Sequence, residues 1–145
     1  MDLAEFTASV SEPRVVSRQS AIEAIYATAH WLLGRERVAD AARLFRTMIR
    51  AVPRDERGWL GLGECHERIH QPRIAAELYG AGGVAAGASP TIPSVRCLIA
   101  RARVLASLHR DEEARNALDA AEEAADACGD EDLAWLVTNE RRRPS

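Results

Sequence analysis

The stretch Trp59-Leu60-Gly61-Leu62-Gly63-Glu64-Cys65-His66, with Ala75 and Tyr79 downstream, decides how the rest of the chain is read. Trp59, Leu62 and Gly63 stand at the fixed positions of the helical-repeat pattern W-x2-L-G-x2-Y…A-x3-F…P, and Ala75 and Tyr79 stand at its A-x3-F half. His66 takes the place of the tyrosine, and Gly87 that of the closing proline. In this pattern a small residue on the first helix of a hairpin lets the second helix approach to contact distance, and bulky side chains fill the space left beside it. Gly63 facing Ala75 is that contact here.

Working outward, Ala41, Phe45 and Pro53 fit the second half of the same pattern upstream, with Ala29 in the small position, and Ala102, Ala114, Leu118 and Ala121 fit it downstream. Ala41 and Ala75 are 34 residues apart, the period of a tetratricopeptide repeat, whereas Ala75 and Ala114 are 39 apart. The extra residues fall in the proline-punctuated loop Gly87-Ala88-Ser89-Pro90-Thr91-Ile92-Pro93. Apolar periodicity predicts paired helices over Ala21 to Leu33 and Val38 to Val52, Glu56 to Ile69 and Pro72 to Ala86, and Ser94 to Leu108 and Asp111 to Cys128. Pro72 suits a first helical turn, where its missing N–H has no partner to lose. After Gly129-Asp130, Leu133, Leu136 and Val137 mark the inward face of one more helix, which would cover the apolar end of the stack. The predicted fold is therefore all-α: three tetratricopeptide-like helical hairpins, at about 22–54, 56–88 and 94–128, forming a short right-handed superhelix with a C-terminal capping helix at 131–142. The repeat domain spans 20–142. Residues 1–19 read as a separate N-terminal segment, either mobile or dimerising, with a short helix through Leu3, Phe6 and Val10.

The totals narrow the function. With 145 residues, 47% of them hydrophobic and 28% charged, the chain is long enough to bury a core without staples. A formal charge of −3 argues against bulk nucleic-acid or membrane-surface affinity. All 19 basic residues are arginine, which reads as compositional bias toward Ala, Arg and Gly. Cys65, Cys97 and Cys128 are odd in number and widely spaced, so reduced thiols in a cytosolic protein are expected. Met1 to Ser20 lacks a basic start followed by an apolar run, and no apolar stretch is long enough to span a bilayer. The expected location is the cytoplasm, with no membrane insertion.

Three stretches together resemble the small three-repeat chaperones of bacterial type III secretion, the class that escorts pore-forming translocators. Trp59-Leu60-Gly61-Leu62-Gly63-Glu64-Cys65 is similar to the family's F-x-G-L-G-A-C, and Ile25-Tyr26-Ala27-Thr28-Ala29 to Leu33 resembles its first repeat helix. Pro90-Thr91-Ile92-Pro93 with Cys97-Leu98 is similar to its P-x-F-P…C-L loop. The resemblance runs over residues 20 to 128. It departs at His30 and Leu33, where the family has aromatics, in the third repeat and in the acidic tail region. It implies a protein of the bacterial cytoplasm that holds a secreted client soluble through an extended segment lying in a concave groove, with homodimerisation as a further expectation. The family's needle-subunit chaperones use similar repeats and stand as an alternative, as does a general tetratricopeptide adaptor.

Helical periodicity places a candidate surface independently. First helices of successive hairpins line the concave face of such a stack. With Ile25, Ala29 and Leu32 packing inward, Glu23, Tyr26, His30 and Leu33 point into the groove. On the second hairpin the matching stripe is Arg57, Leu60, Glu64, Glu67 and Arg68, and on the third Arg96, Ile99, Arg103 and Ala106. The resemblance implies that Tyr26, His30 and Leu33 wall pockets for apolar client side chains. Arg57, Arg96 and Arg103 are expected to donate to client carbonyls or carboxylates. Packing of Tyr26 and Leu33 against the N-terminal segment is the bland reading of the same stripe.

Other clusters weigh less. Cys65, His66 and His70 fall short of a zinc site, which needs about four ligands; no metal or other cofactor is expected. Arg43, Arg46 and Arg50 share one face of the second helix, but Asp40, Asp55 and Glu56 interleave and no aromatics accompany them, so a solvated face is expected and no nucleic-acid partner. Asp111 to Asp132 holds ten acidic residues against Arg115 alone, the pattern of a terminal helix's wet face. Gly61-Leu62-Gly63 lies inside a helix and follows no strand, and no serine or cysteine has a histidine and an acid in recognisable context. No catalytic residues are expected.

Overall fold

A computed structural model of the chain describes residues 17–144. The expectations for the N-terminal segment lie almost wholly outside these residues. Seven α-helices are described and no strand: α1 Arg18–Gly34, α2 Val38–Ala51, α3 Glu56–Arg68, α4 Pro72–Val84, α5 Ile92–Ser107, α6 Asp111–Cys128 and α7 Glu131–Arg141. Their bounds follow local chemistry. Ser17, Asp55 and Asp130 accept a backbone N–H from Ser20, Arg57 and Leu133 and so start α1, α3 and α7. Pro72 sits in the first turn of α4. At α5 the helix begins two residues before the predicted Ser94, because Thr91 and Ser94 form a reciprocal capping box and Pro93 falls in the first turn, where no N–H is needed.

Each hairpin turns by the same device. Glu36, His70 and His109 adopt left-handed backbone at φ 60°, 61° and 58°. The next residue donates its N–H five residues back, Arg37 to Leu32, Gln71 to His66 and Arg110 to Leu105, at 2.9 to 3.0 Å. This is the Schellman arrangement that satisfies the last free carbonyls of a helix, built here without the glycine that usually supplies it. The three turns recur at the spacings read from the alanines.

Every helix packs against its neighbours in the chain, and the first helices also touch one another, α1 with α3, α3 with α5 and α5 with α7. Among the described residues α2 and α4 do not meet, nor do α4 and α6. Close on one side and splayed on the other, the stack is concave on the α1–α3–α5–α7 face. The core forms two clusters. One joins Ala29, Leu32, Leu33, Ala41, Phe45, Leu62 and Cys65 of α1 to α3; the other joins Ala75, Tyr79, Val95, Ala102, Leu105, Leu118, Ala121, Leu133 and Val137 of α4 to α7. The small residues predicted at the helix contacts, Ala29, Gly63, Ala102, Ala41, Ala75 and Ala114, are all buried.

Helix α3 locks the two clusters together. A Cβ on Gly61 would fall inside the Phe45 ring of α2, and one on Gly63 inside the Tyr79 ring of α4. Both rings are fully buried, and burying a side chain of this size contributes about 2–3 kcal/mol. Leu133 and Val137 of α7 are buried with Leu136 packed beside them, so the last helix covers the end of the stack. None of the described helices is long and apolar enough to cross a membrane.

Candidate binding groove

Successive first helices present equivalent positions about one repeat apart, and ionic groups at those positions tie the concave face together. Arg57 of α3 reaches back to α1 with a forked bond to Glu23, at 2.7 and 3.0 Å, and a second fork grips Asp55. Its guanidinium lies 4.5 Å from the centroid of the Tyr26 ring, and that ring stands 5.9 Å from the His30 ring. Arg103 of α5 forks onto Glu67 of α3 at 2.7 and 2.8 Å, and Glu67 also accepts the Tyr79 hydroxyl at 2.5 Å. Arg68 donates to the Leu33 carbonyl and to Glu36. Hydrogen bonds from Arg57 hold the exposed Glu23 below the usual carboxylate range. Burial pushes Glu67 upward, but the bonds from Arg103 and Tyr79 outweigh it and leave Glu67 below that range. Burial and the Glu67 carboxylate together push the Tyr79 phenol up.

Two shallow depressions open on this face. One, between the end of α1 and α3, is lined by His30, Trp31, Leu33, Gly34, Arg35, Glu64 and Arg68. The other, spanning α3, α5 and α7, has an apolar floor of Leu60, Ile99, Ala100 and Leu136 with Glu64, Arg96 and Arg103 around it. Burial pushes Glu64 up from the ordinary carboxylate range, with His30, Arg68 and Arg103 pulling it back.

The stripe read from periodicity thus comes together on one face, with two corrections. Leu33 is only 2% exposed and belongs to the core of the first cluster, contributing at most the floor of a depression. The last turn of α1 is where α1, α2 and α3 converge, so Leu32 and Leu33 are both covered and the ideal groove phase is lost. Arg57 and Arg103, expected as donors to a client, are already committed to carboxylates of the chain itself; among the described residues Arg96 alone of the three expected donors has no ion pair. Asp55 and Leu136 were not in the predicted stripe. The sequence offers Asp55 only as an acid beside the arginines and Leu136 only as an inward-facing residue of the last helix; their places beside Arg57 and in the groove depend on how the helices stack.

Burial pushes the Cys65 thiol up to about 11 and the Cys97 thiol up to about 12, the opposite of what activates a nucleophile. Among the described residues no group of three or more His, Cys, Asp or Glu side chains is placed to hold a metal ion.

No protein-family model matches the sequence, and no curated protein matches it. Solved structures do. The translocator chaperone SycD of Yersinia enterocolitica type III secretion superposes with a TM-score of 0.70 at 24% identity, covering 86% of this chain and 87% of that one. The fold is that of the type III secretion translocator chaperones. SycD in complex with a peptide of the translocator YopD matches with a TM-score of 0.65 at 21% identity, over 88% of this chain and 96% of that one. PcrH in complex with the chaperone binding region of PopB matches with a TM-score of 0.72 at 22% identity, over 88% and 98%.

Proposed function

We propose that this chain is a cytoplasmic chaperone of bacterial type III secretion, which binds an extended segment of a secreted translocator-type protein in its concave groove and keeps that client soluble. The observation that carries this reading is the row Tyr26, Leu60, Ile99 and Leu136, half-buried apolar side chains on four successive concave-face helices, in a fold shared with chaperones that bind translocator peptides. Apolar anchors spaced along one face, with polar groups between them, suit an extended peptide that brings its own side chains and exposed backbone. A tetratricopeptide adaptor that clamps a partner's terminal carboxylate is disfavoured. It would need several free cations converging in the groove, whereas Arg57, Arg68 and Arg103 are occupied by Glu23, Asp55, Glu36 and Glu67.

Co-purification from the native host tests the reading. The variant to compare is Tyr26→Ala with Ile99→Arg. The expected result is one secreted, membrane-active protein bound by wild type and lost from the variant, with both equally helical by circular dichroism. A partner retained by the variant, or an unrelated cytosolic complex, would overturn the reading.

A further inference from the structure

Glu64 lies at the middle of the groove and is the one residue that lines both depressions, so an extended chain passing from one to the other crosses it. The other carboxylates of this face have cations: Glu23 and Asp55 share Arg57, and Glu67 holds Arg103. Among the described residues Glu64 has no ion pair and no side-chain hydrogen bond, although it is half-buried. Of the cations around it, Arg103 is committed to Glu67 and Arg68 to the Leu33 carbonyl and Glu36, while His30 and Arg96, which line the two depressions with it, make no hydrogen bond or ion pair to it among the described residues. A half-buried carboxylate without a partner carries a desolvation cost that a charged donor can offset and an apolar side chain cannot. Beside it lies the apolar floor of Leu60, Ile99 and Leu136.

We propose that Glu64 is a specificity-determining residue: it accepts a charge-assisted hydrogen bond from a basic side chain of the bound segment, next to an apolar side chain seated on Leu60, Ile99 and Leu136. The segment favoured by this groove therefore carries arginine or lysine close to an aliphatic residue, and the same segment with an acid there is rejected. An arginine is the better fit, because its fork can engage both carboxylate oxygens. This inference rests on the groove being the binding surface.

The test uses the full chain and a set of fluorescein-labelled ten-residue peptides, each a serine–threonine frame with one central leucine. Arginine, norleucine or glutamate is placed two residues before or after the leucine, and binding is followed by fluorescence anisotropy. One arginine peptide is expected to bind about tenfold more tightly than its norleucine counterpart, the size of a charge-assisted hydrogen bond that is partly exposed. Glu64→Gln, which keeps the shape, should abolish that difference, and Ile99→Arg should weaken every peptide. If the arginine preference survives Glu64→Gln, or if glutamate peptides bind as well as arginine peptides, the role of Glu64 is overturned and the groove reading stands. If all peptides weaken equally in Glu64→Gln, the carboxylate meets backbone N–H groups instead and the basic-residue preference is overturned. If no peptide binds wild type, or binding survives Ile99→Arg, the groove reading fails and this inference with it.

Discussion

The middle hairpin, α3 and α4, and the third, α5 and α6, occupy equivalent places in the repeat but close their helix contacts differently. In the middle hairpin the Tyr79 ring lies against the bare backbone of Gly63, with the Phe45 ring of the preceding hairpin against Gly61 on the same helix. In the third hairpin α5, with Ala102 buried, packs against an α6 whose buried side chains are the small residues Ala114, Ala117, Ala121 and Ala125, with Leu118 the largest of them. The first solution concentrates packing in two rings that fit one shape. The second spreads it over many methyl groups, each of which contributes little. A repeat thus needs a small-to-large contact at a given place, and it tolerates great freedom in how the volume is divided.

The sharpest test of this contrast is truncation of the rings. Phe45→Ala should cost about 3–5 kcal/mol, read by urea denaturation, because it removes a fully buried ring and leaves a cavity between two hairpins. Leu118→Ala should cost less, about 2–3 kcal/mol, at a site already partly open to solvent; equal losses would break the comparison. Next in size, Gly63→Ala should destabilise by about 1–3 kcal/mol despite alanine's better helix propensity, since its Cβ must displace the Tyr79 ring. The reverse change in the third hairpin, Ala102→Gly, should cost about 1–2 kcal/mol, the helix propensity plus one buried methyl.

Tyr79→Phe separates the ring from its hydroxyl and should cost about 1.5 kcal/mol near neutral pH, the size of a hydrogen bond to a charged acceptor. Glu67 is held below its ordinary range in the folded state, so its contribution is present above that range and is lost as pH falls through the folded value. The gap in stability between wild type and Tyr79→Phe should therefore narrow in acid. A gap independent of pH would mean that the hydroxyl does not act through the carboxylate. The smallest effects lie at the turns. Glu36→Gly, His70→Gly and His109→Gly should each stabilise by about 0.5–1 kcal/mol, because glycine removes the left-handed strain at φ near 60° while adding some unfolded-state entropy. Melting temperatures of the three variants check whether all hairpins respond alike, as a shared turn requires.

The amino-acid sequence determined the helices, their pairing and the small-residue contacts on its own. Periodicity, caps and the recurrence of Ala41, Ala75 and Ala114 act over one or two helical turns, where spacing alone dictates which side chains share a face. It also marked the concave stripe, since Glu23, Tyr26, Leu60, Glu64, Ile99 and Arg103 keep the phase of their own helices. Three things were decided only in the tertiary structure. Leu33 went to the core because three helices converge at the end of α1, which no single-helix pattern contains. Arg57 and Arg103 turned to Glu23 and Glu67 because hairpin stacking brings residues 34 and 36 positions apart to within 3 Å. Glu64, between those pairs, was left without a cation for the same reason: a side chain's partner is set by the relative placement of whole helices, and that placement is the sum of every core contact along the stack.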